Sequence, residues 1–263
     1  MKIGFIGCGN MATGMIRGIL AAGLAAKEDL FASARSAKTR RRIREELGIV
    51  CASNEEVASG ADLLFLAVKP QMYEEVIARI RESVQDTAVI VSIAPGKSLA
   101  WLQKQFGRDL KIVRAMPNTP ATVLEGMSGI TPNERVSKEE LDLVLSVFGS
   151  FGKALCVPEH LIDVVTAVSG SSPAYVFLFI EAMADGAVAL GMPRQQAYEF
   201  AAQAVLGSAK MVLESGMHPG QLKDMVCSPG GTTIEAVRVL EEKGLRSSVI
   251  EAELACAGKA RGL

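Results

Sequence analysis

Residues 2–12 of the chain are KIGFIGCGNMA, and this stretch decides the fold. An apolar run typical of a buried strand ends at Gly7, and a helical pattern starts at Met11. Between them, Gly7, Gly9 and Ala12 match the pattern Gly-x-Gly-x-x-Gly/Ala, which joins the first strand of a nucleotide-binding βαβ unit to its first helix. The stretch therefore predicts a dinucleotide-binding turn.

Each small residue of this turn has a physical use. Gly7 permits the tight bend, Gly9 lets the backbone approach a pyrophosphate, and Ala12 keeps the helix close to the strand. The free N–H groups at the helix start also attract an anion. We expect the cofactor to contact Ile6, Gly7, Cys8, Gly9, Asn10 and Met11. The alternative is a glycine turn with a purely structural use.

Outward from the turn, short apolar runs alternate with amphipathic segments as far as about residue 157. Further strands are predicted at residues 30–34, 49–51, 63–68, 88–92 and 111–115, with edge strands at 126–130 and 154–157. Helices are predicted at residues 11–22, 39–47, 72–80, 99–106 and 138–148. Apolar strands that alternate with helices favour a parallel sheet covered on both faces. We therefore predict an α/β fold, with a Rossmann-type doubly wound domain over residues 1–157.

The pattern changes after about Pro158, where the strand-like runs end. Helices are predicted at residues 173–190, 194–214, 221–226, 233–243 and 247–259. We therefore expect a second, all-helical domain over residues 158–263.

Charge and histidine content exclude several classes of function. The 263 residues carry 28 Lys and Arg against 29 Asp and Glu, for a net charge of −1. This balance provides no basic excess for a phosphate backbone, so nucleic acid is not expected as a partner. With two histidines in the chain, we expect no metal site. The five cysteines are scattered, which indicates buried thiols in a reducing compartment.

The apolar composition bears on membranes and on assembly. Hydrophobic residues make up 49% of the chain, and aromatic residues only 5%. Residues 174–190 form the most apolar stretch, but Glu181 and Asp185 interrupt it. We therefore expect no membrane span, a cytoplasmic protein, and apolar surface that is buried between subunits.

The end of the second predicted strand indicates which dinucleotide is bound. An NAD site commonly has Asp or Glu here for the ribose 2′-hydroxyl, whereas residues 31–36 are FASARS, with no acid. Hydroxyl and cationic side chains suited to a 2′-phosphate stand there instead, at Ser33, Arg35, Ser36, Lys38 and Arg40. NADPH is therefore the expected cofactor, with NADH as the alternative. Arg41, Arg42 and Arg44 are interpreted as a solvated helix face.

Two further strand ends are expected to line the site, because ligands of open α/β sheets bind outside the carboxyl ends of the strands. The fourth predicted strand ends in the cofactor-binding candidates Ala67, Val68, Lys69 and Pro70. Pro95 follows the fifth strand. Lys69 is equally compatible with a simple surface position. The loops at residues 117–120 and 169–173 are expected to shape the cleft.

Residues 228–235, SPGGTTIE, form the most informative stretch of the helical half. Thr232 and Glu235 fit a capping box, so a well-capped helix start is one interpretation. Glycine-rich backbone that leads into a helix also binds small anions such as a carboxylate. We favour this second interpretation, with Gly230, Gly231, Thr232 and Thr233 as substrate-binding residues. His218 is interpreted as a turn residue.

The chain resembles the Δ1-pyrroline-5-carboxylate reductase family in five segments. These are GFIGCGNMA at residues 4–12, AVKPQ at 67–71, RAMPNTP at 114–120, AVSGSSPAY at 167–175 and HPGQLKDMVCSPGGTTI at 218–234. They occur in the family's order and spacing across almost the whole chain. The last segment is the family's signature and is far more selective than the glycine motif.

The resemblance implies reduction of a cyclic imine, 1-pyrroline-5-carboxylate, to L-proline by hydride from NAD(P)H. It also implies that the helical domain interlocks with a second copy to form a homodimer, and that dimers often assemble into decamers. It makes Thr233 the catalytic residue, with its hydroxyl hydrogen-bonded to the ring nitrogen. It also adds Asn54 and Glu159 to the cofactor contacts. Pro95 and Ser172 depart from the family, which commonly has Ala and Gly there.

Two other functions are compatible with parts of the sequence. A β-hydroxyacid dehydrogenase shares the glycine fingerprint and a helical second half, and Lys210 would then be its catalytic lysine. A non-catalytic nucleotide sensor would keep Gly7 and Gly9 but would not need the SPGGTT stretch. Imine reduction agrees with the scarcity of histidine, since the cofactor supplies the hydride and the protein supplies orientation.

Overall fold

The structure is a computed structural model that describes residues 1–262. It forms two compact units. The first contains Met1–Ser171 and the C-terminal segment from Cys256, and the second contains Ser172–Ala255. The short helical segments from Glu159 to Ser171 belong to the same unit as the sheet. The domain boundary near residue 157 stays a prediction.

A sheet of eight strands organises the first unit. The strands are β1 (Ile3–Ile6), β2 (Leu30–Ser33), β3 (Val50–Cys51), β4 (Leu63–Leu66), β5 (Val89–Ser92), β6 (Lys111–Met116), β7 (Gly126–Pro132) and β8 (Gly152–Cys156). Their order is β3-β2-β1-β4-β5-β6-β7-β8, and β1 to β6 are all parallel. Strand β7 is antiparallel to β6, and β8 is parallel to β7. The predicted Rossmann-type fold is confirmed. Of the two predicted edge strands, β8 lies at an edge of the sheet, whereas β7 lies between β6 and β8.

Helices cover both faces of this sheet. Those of the first unit are α1 (Asn10–Ala21), α2 (Ala37–Arg42), α3 (Asn54–Gly60), α4 (Tyr73–Ile80), α5 (Leu99–Phe106), α6 (Lys138–Gly149) and α7 (Ile162–Val165). Helix α3 was not predicted, because its seven residues are too short to show a periodic pattern. The capping box of Ser53 and Glu56 is the sequence signal that locates its start.

The apolar strands bury both of their faces. On β1, Ile3 and Phe5 belong to the core that packs against α1 and α6, whereas Ile6 belongs to the core beneath α3, α4 and α5. Phe5 stacks on Phe65 of β4 with ring centroids 4.7 Å apart. Two-sided burial explains why these strands contain almost no polar residues.

The second unit is helical, as expected. It contains α8 (Ser172–Ala189), α9 (Arg194–Ser215), α10 (Pro219–Val226), α11 (Thr232–Glu242) and most of α12 (Leu245–Arg261). Many large apolar side chains on these helices are exposed. Those more than 60% exposed include Phe177, Leu178, Phe200, Leu213 and Leu254. Apolar surface of this extent is typical of a protein–protein interface.

One helical run, Glu159–Ala189, is long and apolar enough to cross a membrane by length and composition. No membrane span is expected from the sequence, because Glu181 and Asp185 lie within this run. Asp185 forms an ion pair with Arg194 at the start of α9. Core helices of soluble proteins pass the same test of length and composition.

All five cysteines are free thiols. Cys8 is buried, as predicted, and burial raises the pKa of its thiol. The prediction of buried thiols is wrong for Cys156, which is exposed at the end of β8.

Candidate active site

The glycine turn between β1 and α1 has the geometry that a dinucleotide requires. Gly7 has a φ of +91°, and a Cβ on it would lie 2.8 Å from the carbonyl oxygen of Ala67 and from the side chain of Val68. Gly9 caps α1, and a Cβ there would meet no heavy atom within 4 Å. No side chain caps this helix start. Its N–H groups are therefore left for an anion in the open space beside Gly9.

Two polar side chains hold this turn in place. The N–H of Gly7 donates to the hydroxyl oxygen of Ser33, across 3.3 Å. The guanidinium of Arg42 donates to the carbonyl of Cys8, and its Nε is buried. The interpretation of Arg42 as part of a solvated helix face is therefore wrong. The sequence pattern places Arg42 on a basic helix but does not show that this helix packs against the turn.

Two neighbouring cavities lie along the carboxyl ends of the parallel strands. The β2-side cavity, of about 470 Å³, is lined by Gly7, Met72, Glu75, Val76, Arg79 and residues 33–35, 52–55 and 68. The β5-side cavity, of about 300 Å³, is lined by Met11, Gly170 and residues 67–70, 93–95 and 116–119. They share Val68, which follows β4. The order of the strands reverses between β1 and β4, which is where open α/β sheets bind their ligands.

The structure brings many predicted cofactor contacts to these cavities. Those that line one or both are Gly7, Met11, Ser33, Arg35, Asn54, Ala67, Val68, Lys69, Pro70 and Pro95. Gly9 and Asn10 are exposed at the start of α1 beside them. Ile6 and Cys8 are buried, so their side chains face the core. These two residues can offer only backbone groups to a ligand.

Glu159, another predicted cofactor contact, lines neither cavity. Its carboxylate accepts from the N–H of Leu99, across 2.7 Å, and from buried Arg114, across 3.3 Å. Asp163 also pairs with Arg114 at 3.3 Å. The carboxylate of Glu159 therefore links β6 to the start of α5, and its contact with the cofactor stays a prediction.

The residues predicted to hold a 2′-phosphate divide into two groups. Ser33 and Arg35 line the β2-side cavity, whereas Ser36, Lys38 and Arg40 do not. The hydroxyl of Ser36 caps α2 by accepting from the N–H of Thr39. Arg40 donates to the carbonyls of Ala34 and Arg35. Ser36 and Arg40 therefore stabilise the loop after β2, and Arg35 is the cation of this group that faces the cavity.

Tyr73 was not predicted, although it supports both strand ends beneath the cavities. Its hydroxyl donates to the carbonyl of Leu66 at the end of β4, across 2.6 Å. The hydroxyl of Ser92, at the end of β5, donates to the hydroxyl oxygen of Tyr73 across 3.2 Å. Burial raises the pKa of Tyr73, so it remains a neutral hydrogen-bonding group. Residues 67–70 and 93–95 come directly after the ends of β4 and β5 that these hydrogen bonds join.

The loop residues 116–119 also line the β5-side cavity, as expected of a segment that shapes the cleft. Asn118 holds this loop in place. Its side-chain amide donates to the carbonyl of Ser169 and accepts from the N–H of Met127. Gly170 lies close by, and a Cβ on it would be 2.8 Å from the Met116 side chain.

The SPGGTT stretch lies in the second unit and leads into α11. This helix begins at Thr232 with Gly231 as its cap, and no side chain caps it. The alternative interpretation of this stretch, a capping box of Thr232 and Glu235, is therefore wrong, and Glu235 pairs with Arg238 instead. Gly230 has a φ of +66°, and the N–H of Gly231 donates to the Ser228 carbonyl. This hydrogen bond tightens the turn, and the first N–H groups of α11 have no capping side chain.

Thr233 lies on the first turn of α11 and is partly exposed. His218 caps α10 by accepting from the N–H of Gly220, which agrees with its interpretation as a turn residue. Lys210, the residue that the dehydrogenase alternative requires, is exposed on α9 and pairs with Glu214 at 3.6 Å.

Similarity to known proteins extends over the whole chain. Residues 159–263 match the family model described as pyrroline-5-carboxylate reductase dimerisation, and residues 2–96 match one described as NADP oxidoreductase, coenzyme F420-dependent. The chain is 54% identical over 263 residues to the pyrroline-5-carboxylate reductase of Escherichia coli (strain K12), covering 100% of this chain and 98% of that protein.

Two solved structures agree with this similarity. A pyrroline-5-carboxylate reductase from Coxiella burnetii superposes with a TM-score of 0.93 at 36% identity, covering 99% of this chain and 97% of that one. The NADP-bound pyrroline carboxylate reductase of Plasmodium falciparum superposes with a TM-score of 0.90 at 33% identity, covering 100% of this chain and 97% of that one. The chain belongs to the pyrroline-5-carboxylate reductase family of NAD(P)H-dependent oxidoreductases.

Proposed function

We propose that the chain reduces 1-pyrroline-5-carboxylate to L-proline with NADPH as its preferred hydride donor. The observation that carries this proposal is the pair of adjoining cavities over the β1–β4 reversal, with Arg35 in the position where an NAD site has an acid. The NADP bound to the related Plasmodium falciparum enzyme supports the same choice of cofactor.

The residues of the first unit fit such a dinucleotide. Gly9 leaves open space beside the uncapped start of α1, where a pyrophosphate would accept from backbone N–H groups. Arg35 and Asn54 line the β2-side cavity and would hold the adenosine end. Residues 67–70 and Pro95 line the β5-side cavity and would orient the nicotinamide end. NADPH, when bound, supplies the hydride.

The start of α11 is proposed to hold the substrate. The uncapped N–H groups of the first turn of α11, which begins at Thr232, and the positive end of the helix dipole suit the carboxylate of the imine. The hydroxyl oxygen of Thr233 accepts a hydrogen bond from the protonated ring nitrogen and stabilises this form, which is the better electrophile. The reduced carbon gains the hydride, and the nitrogen keeps the proton. Orientation and hydrogen bonding are thus the work of the protein.

We propose that a second copy covers the apolar helices of the second unit, as the dimerisation family match suggests. The exposed apolar side chains of α8 and α9 would be covered in such a dimer. A membrane is a poorer environment for the Glu159–Ala189 run, because Glu181 and Asp185 interrupt its apolar surface. A further association of dimers into a decamer and a cytoplasmic location complete the proposal. The mass of the native particle in solution tests the assembly.

The reaction is tested by following NADPH oxidation with 1-pyrroline-5-carboxylate, with a 3-oxo acid and without substrate. We expect rapid oxidation with the imine alone. Reduction of the 3-oxo acid instead would favour the dehydrogenase, and the absence of turnover with either substrate would favour a nucleotide sensor. Repeating the assay with NADH tests the cofactor, and a preference of tenfold or more for NADH would contradict the proposed use of NADPH.

Replacing Arg35 with Gln is expected to raise the KM for NADPH by about tenfold and to leave the KM for NADH nearly unchanged, because only NADPH has a 2′-phosphate for the guanidinium to bind. Arg41→Gln is the matched control, since Arg41 is exposed on α2 and pairs with Glu45, four residues later. Equal losses for NADPH and NADH in Arg35→Gln would show that Arg35 contacts a part that both cofactors share.

A further inference from the structure

The β2-side cavity contains a second arginine that the sequence motif does not indicate. Arg79 lies on α4 and lines the same cavity as Arg35. The other arginines near this end of the sheet are engaged elsewhere. Arg40 donates to the carbonyls of Ala34 and Arg35, and Arg42 donates to the carbonyl of Cys8. Arg35 and Arg79 are thus the arginines that the structure places on the wall of this cavity.

Arg79 is held beside an acid that lines the same cavity. Its Nη2 lies 3.0 Å from Oε1 of Glu75, one helical turn earlier, and both side chains are more than half exposed. An exposed pair of this kind is weak and exchanges its partner readily. A phosphate dianion has more charge than one carboxylate and more acceptor oxygens, so it competes well for the guanidinium.

We propose that Arg79 is a second residue that selects NADPH, by binding the 2′-phosphate together with Arg35, and that Glu75 occupies Arg79 until the cofactor arrives. This inference rests on the proposed use of NADPH. It assigns opposite effects to two neighbouring side chains on one helix. Arg79 strengthens the binding of NADPH, whereas Glu75 weakens it by competing for the same guanidinium.

The test measures the dissociation constants of NADPH and NADH for the full chain and for the variants Arg79→Gln, Glu75→Gln and the double variant. Arg79→Gln is expected to weaken NADPH binding by about tenfold and to leave NADH unchanged. Glu75→Gln is expected to tighten NADPH binding by about twofold. In the double variant, the loss of the Glu75 carboxylate should have no effect on NADPH binding, because the Arg79 guanidinium for which it competes is absent.

Arg81→Gln is the matched control, since Arg81 ends the same helix, pairs with Glu82 and does not line the cavity. Equal losses for NADPH and NADH in Arg79→Gln would show that Arg79 contacts the adenine or ribose, and the proposal would be wrong. It would also be wrong if Glu75→Gln changed NADPH binding equally with and without Arg79. Equal affinities of the unmodified chain for NADPH and NADH would overturn the proposed cofactor preference itself.

Discussion

Removing the hydroxyl of Thr233 is expected to lower kcat by about a hundredfold, the size of effect typical of a group that stabilises or transfers a proton. The affinity for NADPH should stay unchanged, because no residue of α11 lines either of the proposed cofactor cavities. Thr233→Ala and Thr233→Val both remove the hydroxyl, and the Val variant keeps the branched shape. Steady-state kinetics and a separate NADPH titration provide the two measurements.

Thr233→Ser is the control for this prediction. It keeps a hydroxyl on the first turn of α11 and should restore most of the activity. The helix itself should not be affected by any of the variants, because its cap is Gly231 and no side chain contributes to it. A kcat within about twofold of the original in Thr233→Val, less than half a kcal/mol, would show that the hydroxyl has no part in the reaction.

Gly7→Ala is expected to lower the free energy of unfolding by about 3 kcal/mol and to weaken NADPH binding by at least about tenfold. An Ala at φ +91° is strained, and its Cβ would lie 2.8 Å from the Ala67 carbonyl. The clash moves residue 67 or the turn itself, and both belong to the proposed cofactor site. Denaturant unfolding and an NADPH titration measure the two effects.

Gly9→Ala separates these two effects. No atom lies within 4 Å of the Cβ that it adds, so the free energy of unfolding should fall by less than about 1 kcal/mol, the cost of a poorer helix cap. NADPH binding should nevertheless weaken by about tenfold, because the methyl group would occupy the space through which the pyrophosphate approaches the backbone. Unchanged affinity in Gly9→Ala would place the pyrophosphate away from this turn.

Much of the candidate site could be predicted from local patterns. The glycine turn, the strand ends after β4 and β5 and the SPGGTT stretch all depend on residues that are close together in sequence. Residues whose role depends on long-range packing were assigned wrongly or missed. Arg42 reaches the carbonyl of Cys8 across 34 positions, and Tyr73 joins the ends of β4 and β5. Neither contact has a periodic signature.

Short-range patterns also had limits within single elements. Thr232 and Glu235 have the spacing of a capping box, yet α11 begins one residue earlier than that box requires, with Gly231 as its cap. In α3, the box of Ser53 and Glu56 is formed in full. The same spacing therefore has two outcomes, because the preceding glycines of the SPGGTT stretch allow the backbone to start the helix without a side-chain cap.

The sequence by itself determined the fold class and the position of the glycine turn, because apolar periodicity and glycine spacing act over a few residues. The family was indicated by its resemblance in five short segments. Only the tertiary structure decided which polar side chains face the cavities and which hold the loops. Ser36 and Arg40 are bound to the backbone, whereas Arg35 and Arg79, which are 44 positions apart, line one cavity. That distinction depends on how α2 and α4 pack on the sheet, which only long-range contacts specify.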